Sequence, residues 1–275
     1  MDIMKEFFGI GGFSREPEGF LSWQHLLLVS ISFVLMIGLA IFLGRRNKNR
    51  SDKEKNKVLI FVAFFVNAIE IFKVALICIV NSDPWGWKIY LPLFLCSMQF
   101  VALPLAAFSK GRLREATLDF IFIFGMLGAI LGNIGAAQNF SSYPVLSYEN
   151  IEFALTHAIF GFSALYIGVA GMKSMKRKNI VLTFSIVISF CAVAYIVNHI
   201  IDYNYMFLMR SDGTPYEVLY QLVNGNPVLY PLGVVSLFLL YMSAFYGVYY
   251  LVENKLAKKK ADCEAKEELH EEVTV

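Results

Sequence analysis

The chain consists of long apolar runs separated by short polar or basic stretches. Seven of these runs are long enough to cross a hydrocarbon core of ~30 Å as helices that rise ~1.5 Å per residue. They predict an all-α membrane protein whose transmembrane domain (21–254) is a seven-helix bundle, with helices at about 21–44, 58–80, 89–108, 117–137, 151–172, 180–201 and 227–252. The flanks are predicted to be an interfacial N-terminal segment at 1–20 and a charged tail at 255–275.

The distribution of lysine and arginine predicts how this bundle is oriented. Of 24 such residues, 19 fall on one predicted side, in the segments 45–57, 110–114, 173–178 and 255–266. Cytoplasmic loops carry the excess of these residues in membrane proteins. We therefore expect an odd number of spans, with the N-terminus outside and the C-terminus in the cytoplasm. The net charge of +2 reflects this topology and does not indicate nucleic-acid binding.

Composition agrees with the pattern of apolar runs. Hydrophobic residues make up 57% of the chain and charged residues 17%, as is typical of a multi-pass protein, which we expect in a bacterial plasma membrane. The first run lacks a small-residue cleavage site, so we expect a retained helix. Four cysteines without regular spacing favour neither a disulfide framework nor a zinc site, and no cofactor motif is found.

Polar residues inside the predicted spans are costly in lipid, so they usually face the bundle interior and often mark function. Counting from the outer end of each helix places Lys73, Cys96 and His157 at a common depth of ~10 Å. The inner half of the predicted bundle is almost purely apolar. A transporter needs polar groups along a route through the membrane, whereas a blind polar pocket suits binding or chemistry on a ligand from one leaflet.

Cys96 and His157 form the candidate catalytic pair. A cysteine in a span is usually a small packing residue, and burial disfavours the thiolate that a nucleophile requires. An imidazole nearby changes this, because it can accept the thiol proton. Gln99, one predicted helical turn from Cys96, could donate to an oxyanion or simply to the backbone.

The remaining polar residues have structural interpretations beside functional ones. Glu70 and Lys73 are three residues apart, which allows an intrahelical ion pair as well as a catalytic or headgroup-binding role. Asn133 suits a hydrogen bond between helices, and Gly128 and Gly132 suit close helix packing or, alternatively, gating. The predicted loop 202–226 could cap an outward cavity. No internal repeat is visible, which disfavours an inverted-repeat transporter.

A set of motifs runs through the chain in a fixed order: His25, Glu70, residues 91–97, His157, residues 204–208, and 226–227 with Tyr230. In these motifs the chain resembles YwaF-like bacterial integral membrane proteins and their eukaryotic relatives, the transmembrane protein 164 family. The resemblance implies a phospholipid acyltransferase in which Cys96 forms an acyl-thioester and His157 is the base. It implies membrane lipids as partners, with a lyso-lipid or another molecule as acyl acceptor.

The chain departs from the family pattern at two positions. Phe94 stands where the bacterial relatives commonly have a histidine, and Lys73 stands near a position where they carry an aromatic residue or histidine. More distant kin, the androgen-induced family, resemble lipid-ester hydrolases with a threonine nucleophile, so hydrolysis stays open.

We therefore expect a lipid acyltransferase. The alternative is a non-enzymatic membrane protein, either a transporter or an accessory subunit, in which these residues only pack. Glu70, Cys96, Gln99 and His157 are expected to face one outward cavity, and the other residues predicted to line it are His25, Lys73, Asn133, Asn204 and Tyr205.

Overall fold

The computed structural model describes the backbone of residues 3–135 and 137–274, with side chains as far as Lys259. Its described helices are α1 (Ile3–Phe8), α2 (Trp23–Asn47), α3 (Asp52–Val80), α4 (Gln99–Phe108), α5 (Gly111–Ile134), α6 (Ala137–Ser142), α7 (Tyr148–Val169), α8 (Ile180–Ile201), α9 (Glu217–Leu222) and α10 (Leu229–Thr274). Short 3₁₀ turns lie at Gly86–Tyr90, Arg177–Asn179 and Tyr205–Phe207. Within the described ranges the chain is all-α.

Within the described part of the chain, six helices (α2, α3, α5, α7, α8 and α10) are long and apolar enough to cross a membrane. Their outward faces expose large apolar side chains, including Ile79, Val181 and Ile200, each about three-quarters accessible. Patches of this kind are rare on soluble proteins but suit contact with lipid tails. The chain therefore has the surface of a multi-pass membrane protein, while its seven-span count and its orientation stay predictions.

The predicted start of the helix at 89–108 was wrong, because the structure begins this helix ten residues later, at Gln99. Pro92 disfavours helical backbone at the residue before it, and Leu91 is accordingly extended, with φ −59° and ψ 144°. Residues 91–98 form an irregular segment, which we call the cysteine segment because it contains Cys96. Helix α4 runs antiparallel to α3. Asn67 of α3 donates a side-chain hydrogen bond to the Phe100 carbonyl, and Asn56 donates one to the Ala107 carbonyl.

The basic segments meet at one end of the bundle, which we call the basic end. Asn47 donates to the Tyr166 hydroxyl, which in turn donates to the Lys55 carbonyl. On the other side of the same end, Asp119 accepts hydrogen bonds from the backbone of Ser174 and Met175, at 2.8 Å each. Helix α1 and the residues after it pack at the opposite end, against α7 and α3.

Helices α5 and α7 form the centre of the bundle and approach closely through glycines. A Cβ added at Gly125 would lie 2.6 Å from the Phe160 carbonyl oxygen, and one added at Gly161 would lie 2.6 Å from the Ala129 Cβ. No larger side chain fits at such distances without separating the helices. Close helix packing was also predicted at Gly132 of α5. The structure confirms it, because Gly132 lies directly against the ring of His157 on α7.

Candidate functional site

A buried ionic cluster joins α3 to α7 near the opposite end. The Lys73 ammonium lies 2.6 Å from a carboxylate oxygen of Glu70 and 3.2 Å from one of Glu152. The other oxygen of Glu152 accepts a hydrogen bond of 2.8 Å from the Thr156 hydroxyl. Because all three charges are largely shielded from solvent, their pairing makes them tolerable at this depth. The ion pair expected within α3 therefore extends to a second helix.

The cysteine segment is held in its irregular shape by hydrogen bonds at its start and in its middle. At its start, the Tyr205 hydroxyl donates to the Lys88 carbonyl and accepts from the Leu91 amide. In its middle, the Ser97 hydroxyl accepts from the Phe94 amide and donates to the Phe94 carbonyl. These bonds satisfy backbone groups that a helix would have paired internally. They fix Cys96 immediately before the N-terminus of α4.

Cys96 is a free cysteine that lies three residues before Gln99, the first residue of α4. Donors at the start of a helix stabilise negative charge on a thiolate or on a nearby oxyanion. The backbone N–H groups of the turn that carries Cys96 are therefore candidates for the oxyanion-stabilising role that was one of two expectations for Gln99.

His157 presents one ring nitrogen for chemistry. Its Nδ1 lies 2.8 Å from the Phe153 carbonyl oxygen, and because a carbonyl only accepts, Nδ1 carries a hydrogen. In a neutral imidazole Nε2 then holds the lone pair and can accept a proton. Among the residues that the structure describes, no hydrogen bond joins Nε2 to the Cys96 thiol. Such contacts commonly tighten only when substrate binds.

His25 shows the contrasting, structural use of a histidine. Its Nδ1 accepts from the Leu21 amide at 3.1 Å, and its Nε2 donates to the Asn133 carbonyl at 3.0 Å. Both ring nitrogens are therefore occupied. Phe140 packs against the ring with a centroid distance of 4.1 Å. His25 ties α2 to the end of α5 and has no free lone pair for catalysis.

Cys96 and His157 lie in a wall between two cavities. The polar chamber has a volume of about 290 Å³, and its lining includes Glu70, Lys73, Tyr90, Glu149, Glu152 and Thr156. The apolar chamber has a volume of about 400 Å³, and its lining includes Phe124, Leu127, Gly128, Leu131, Met206 and Phe238. Both chambers are also lined by Phe94, Cys96, Phe153 and His157.

Two glycines of α5 set the positions of the pair. A Cβ added at Gly128 would lie 3.7 Å from the Cys96 Cβ, and one added at Gly132 would lie 2.0 Å from Cδ2 of His157. The two glycines are one helical turn apart, so these side chains are neighbours along one face of α5. The glycines therefore serve the candidate site as well as helix packing.

The other residues predicted for the cavity lie outside its lining. Gln99 is buried at the start of α4, where its amide atoms have no hydrogen-bond partner among the described residues. Asn133 donates to the Ala129 carbonyl of its own helix. Asn204 organises the loop after α8 through the backbone of Met209 and Arg210. The Tyr205 hydroxyl bonds the backbone at the start of the cysteine segment, so Tyr205 affects the site only through the shape of that segment.

Several polar residues of the chamber were missed in the sequence: Tyr90, Asn139, Tyr143, Glu149, Glu152, Thr156 and Tyr203. Glu152 and Thr156 fall within the predicted span 151–172, where any ionisable group is a candidate for function. They are also four residues apart, a spacing that places two side chains on one helix face. Applying the cost of burying charge to every residue of that span would have identified Glu152.

Phe94, one of the two positions at which the chain departs from the pattern of the resemblance, belongs to an aromatic cluster. Its ring lies 5.1 Å from that of Tyr205 and 6.0 Å from that of Phe207, measured between centroids. These contacts place an apolar ring between the two chambers, where a histidine would present polar nitrogens. His157 is therefore the imidazole that both chambers share within the described residues.

No cluster of three or more histidine, cysteine or acidic side chains suited to a metal ion exists among the described residues.

Residues 20–249, which contain every residue that lines the two chambers, match the model of the TMEM164 family. The chain belongs to the TMEM164 family. The match to this family confirms the resemblance found in the sequence, while a place in the YwaF-like bacterial branch stays a prediction. No curated protein and no solved structure matches the chain.

Proposed function

We propose that this member of the TMEM164 family transfers acyl groups between membrane lipids, with Cys96 as nucleophile and His157 as base. The observation that carries the proposal is the position of both side chains in the wall between a polar and an apolar chamber. A lipid ester has the same division, because its carbonyl joins a polar glycerol to an apolar chain. Bound across the wall, its carbonyl would lie beside the thiol.

The first half-reaction forms a thioester. Nε2 of His157 takes the thiol proton as the Cys96 sulfur attacks the ester carbonyl. The N–H groups of Cys96 and Ser97 stabilise the oxyanion of the tetrahedral intermediate. The carbon–oxygen bond of the ester then breaks, and the departing alkoxide takes the proton from the imidazolium to leave as a lyso-lipid.

The second half-reaction returns the enzyme to its starting state. The hydroxyl of an acceptor lipid attacks the thioester while Nε2 takes its proton. The carbon–sulfur bond breaks, the new ester leaves, and the proton passes from the imidazolium to the thiolate. An acceptor held beside the thioester reacts at a high effective concentration and so outcompetes water, which favours transfer over hydrolysis.

A pair of aromatic rings in the lining of the polar chamber favours this proposal over the transporter alternative. The rings of Phe100 and Phe160 line its side towards the basic end, with centroids 5.2 Å apart and nearly perpendicular planes. A transport route would have to continue through this pair. On the predicted orientation, the chamber lies towards the outer leaflet of a plasma membrane.

An acyl-exchange assay tests the proposal. Proteoliposomes containing phosphatidylcholine with a deuterated acyl chain and an unlabelled lyso-lipid should accumulate the label on the acceptor. Cys96→Ala should abolish this exchange, because the attacking sulfur is lost. Cys78→Ala is the matched control, since Cys78 is a free cysteine that lines neither chamber, and it should not affect the rate. Equal exchange by wild type and Cys96→Ala would refute the proposal.

A further inference from the structure

The apolar chamber is lined mainly by α5, the cysteine segment, α7 and the loop after α8, with Phe238 from α10. Helices α5 and α10 contact each other on its side towards the basic end. There the Tyr241 hydroxyl donates to the Ile123 carbonyl at 3.0 Å, and the rings of Phe122 and Phe245 lie 5.6 Å apart. Phe207, from the loop after α8, also contributes to the lining of the chamber.

The floor of the chamber is made of aromatic rings. Phe124 and Phe238 line it. The Tyr241 ring, which is not part of the lining, packs against the Phe124 ring at a centroid distance of 5.4 Å. Phe124 is one helical turn from Gly128, the residue that faces Cys96. At ~1.5 Å per residue, the floor lies ~6 Å along the helix axis below the nucleophile.

We propose that this chamber is the acyl-chain subsite and that Phe124 and Phe238 limit the length of chain it accepts. This inference rests on the proposed function and assigns a chain-length selectivity to the same site. The occupant follows from continuity, because the cleft begins at Cys96 and its lining is almost wholly apolar. A chain attached to the sulfur therefore has its polar carbonyl in the wall and its methylenes in the cleft.

The edge of the chamber explains what happens to longer chains. Leu131 lines the chamber and is 58% exposed on the lipid-facing surface. When a chain is longer than the chamber, its last methylenes leave the chamber past Leu131 and lie in lipid. They make no further contacts with the chamber. For an ester that starts in water, each methylene buried in the chamber should raise the rate of thioester formation by up to roughly fourfold, until a plateau is reached. The increase is smaller for an ester that starts in detergent, because its chain is already out of water. The length at the plateau measures the depth of the subsite.

Two substitutions should move the plateau in opposite directions. A Cβ at Gly128 makes only ordinary contact with Cys96, so the side chain of Gly128→Leu can extend into the chamber and should shift the plateau to shorter chains. Phe238→Leu removes part of the floor and should shift it to longer chains. The measurement is the rate at which p-nitrophenyl esters of four to sixteen carbons form a Cys96 adduct, followed by intact mass.

A second apolar cavity provides the matched control. This lateral groove, between α8 and α10, has a volume of about 420 Å³, and its lining includes Ile188, Cys191, Tyr195, Pro231 and Leu232. Leu232 is exposed, so Leu232→Trp can fill the groove without disturbing the core. It should leave the plateau unchanged. A plateau that moves with Leu232→Trp but not with Gly128→Leu would overturn the assignment.

A photolabelling experiment separates this inference from the proposed chemistry. Cys96→Ala protein is irradiated with a methyl ester of about six carbons, the length that spans ~6 Å from the thiol position to the floor, with a diazirine at the end of its chain, and the labelled peptides are mapped. Label on Phe124 or Phe238 is expected, whereas label confined to the lateral groove would refute the subsite. A labelled chamber in a protein whose wild type forms no Cys96 adduct would refute acyl transfer and leave the subsite standing.

Discussion

Replacing Gly132 with alanine is expected to slow acylation of Cys96 by about 10²-fold or more. The new Cβ would lie 2.0 Å from Cδ2 and 2.6 Å from Nε2 of His157, so the ring has to move away. Movement breaks the Nδ1 hydrogen bond to the Phe153 carbonyl and displaces the proton-accepting nitrogen from the shared wall. Misplacement of a catalytic group by about 1 Å commonly costs this much in rate.

The control for this prediction is Gly38→Ala on α2, where an added Cβ meets nothing within 4 Å. The acylation rate of that variant should equal the wild-type rate. Thermal unfolding in detergent distinguishes displacement of the ring from loss of the fold. Wild-type acylation by a folded Gly132→Ala protein would contradict the role given to His157.

Lys73→Met is expected to destabilise the protein by about 3–5 kcal/mol, the usual cost of leaving one side of a buried ion pair without its partner. The substitution keeps the apolar stem and removes the charge that two carboxylates share. The free energy of unfolding can be measured by denaturant titration in mixed micelles. Removing the charge of Glu152 as well, with Glu152→Gln, should recover part of the loss.

A second lysine on α3 provides the matched control. Lys57 also lies 2.6 Å from a glutamate three residues before it, Glu54, but these side chains are 62% and 47% exposed. Exposed pairs of this kind contribute at most about 1 kcal/mol. Lys57→Met should therefore have a small effect, and equal losses for Lys57→Met and Lys73→Met would show that the cluster does not act as a buried network.

The long helices could be predicted because hydropathy and helix length are properties of local sequence. The span predicted at 180–201 matches α8 at both ends, and that predicted at 151–172 is offset from α7 by three residues at each end. The run 89–108 is also apolar, yet only its second half, Gln99–Phe108, is α-helical. Pro92 gave a local warning, but the bond that stabilises the alternative comes from Tyr205, more than a hundred residues away.

The sequence could predict how deep the site residues lie in the membrane, but not which way each helix turns its side chains. The fixed rise of a helix placed Lys73 and His157 at one level, and the structure has both in the polar chamber. Which way a side chain faces depends on helix contacts that periodicity does not reveal. Gln99 was expected beside Cys96 because a continuous helix was assumed, and the break before Gln99 removes that relation.

The central claim is that Cys96 carries the acyl group as a thioester. The most direct test is to react the purified protein with a lipid ester that carries a deuterated acyl chain, quench in acid, and map the adduct by intact mass and peptide sequencing. The account predicts one acyl group per chain, on Cys96, released by neutral hydroxylamine and absent from Cys96→Ala. An acyl group on Cys78 or Cys191, or acyl exchange that proceeds with Cys96 unmodified, would contradict it.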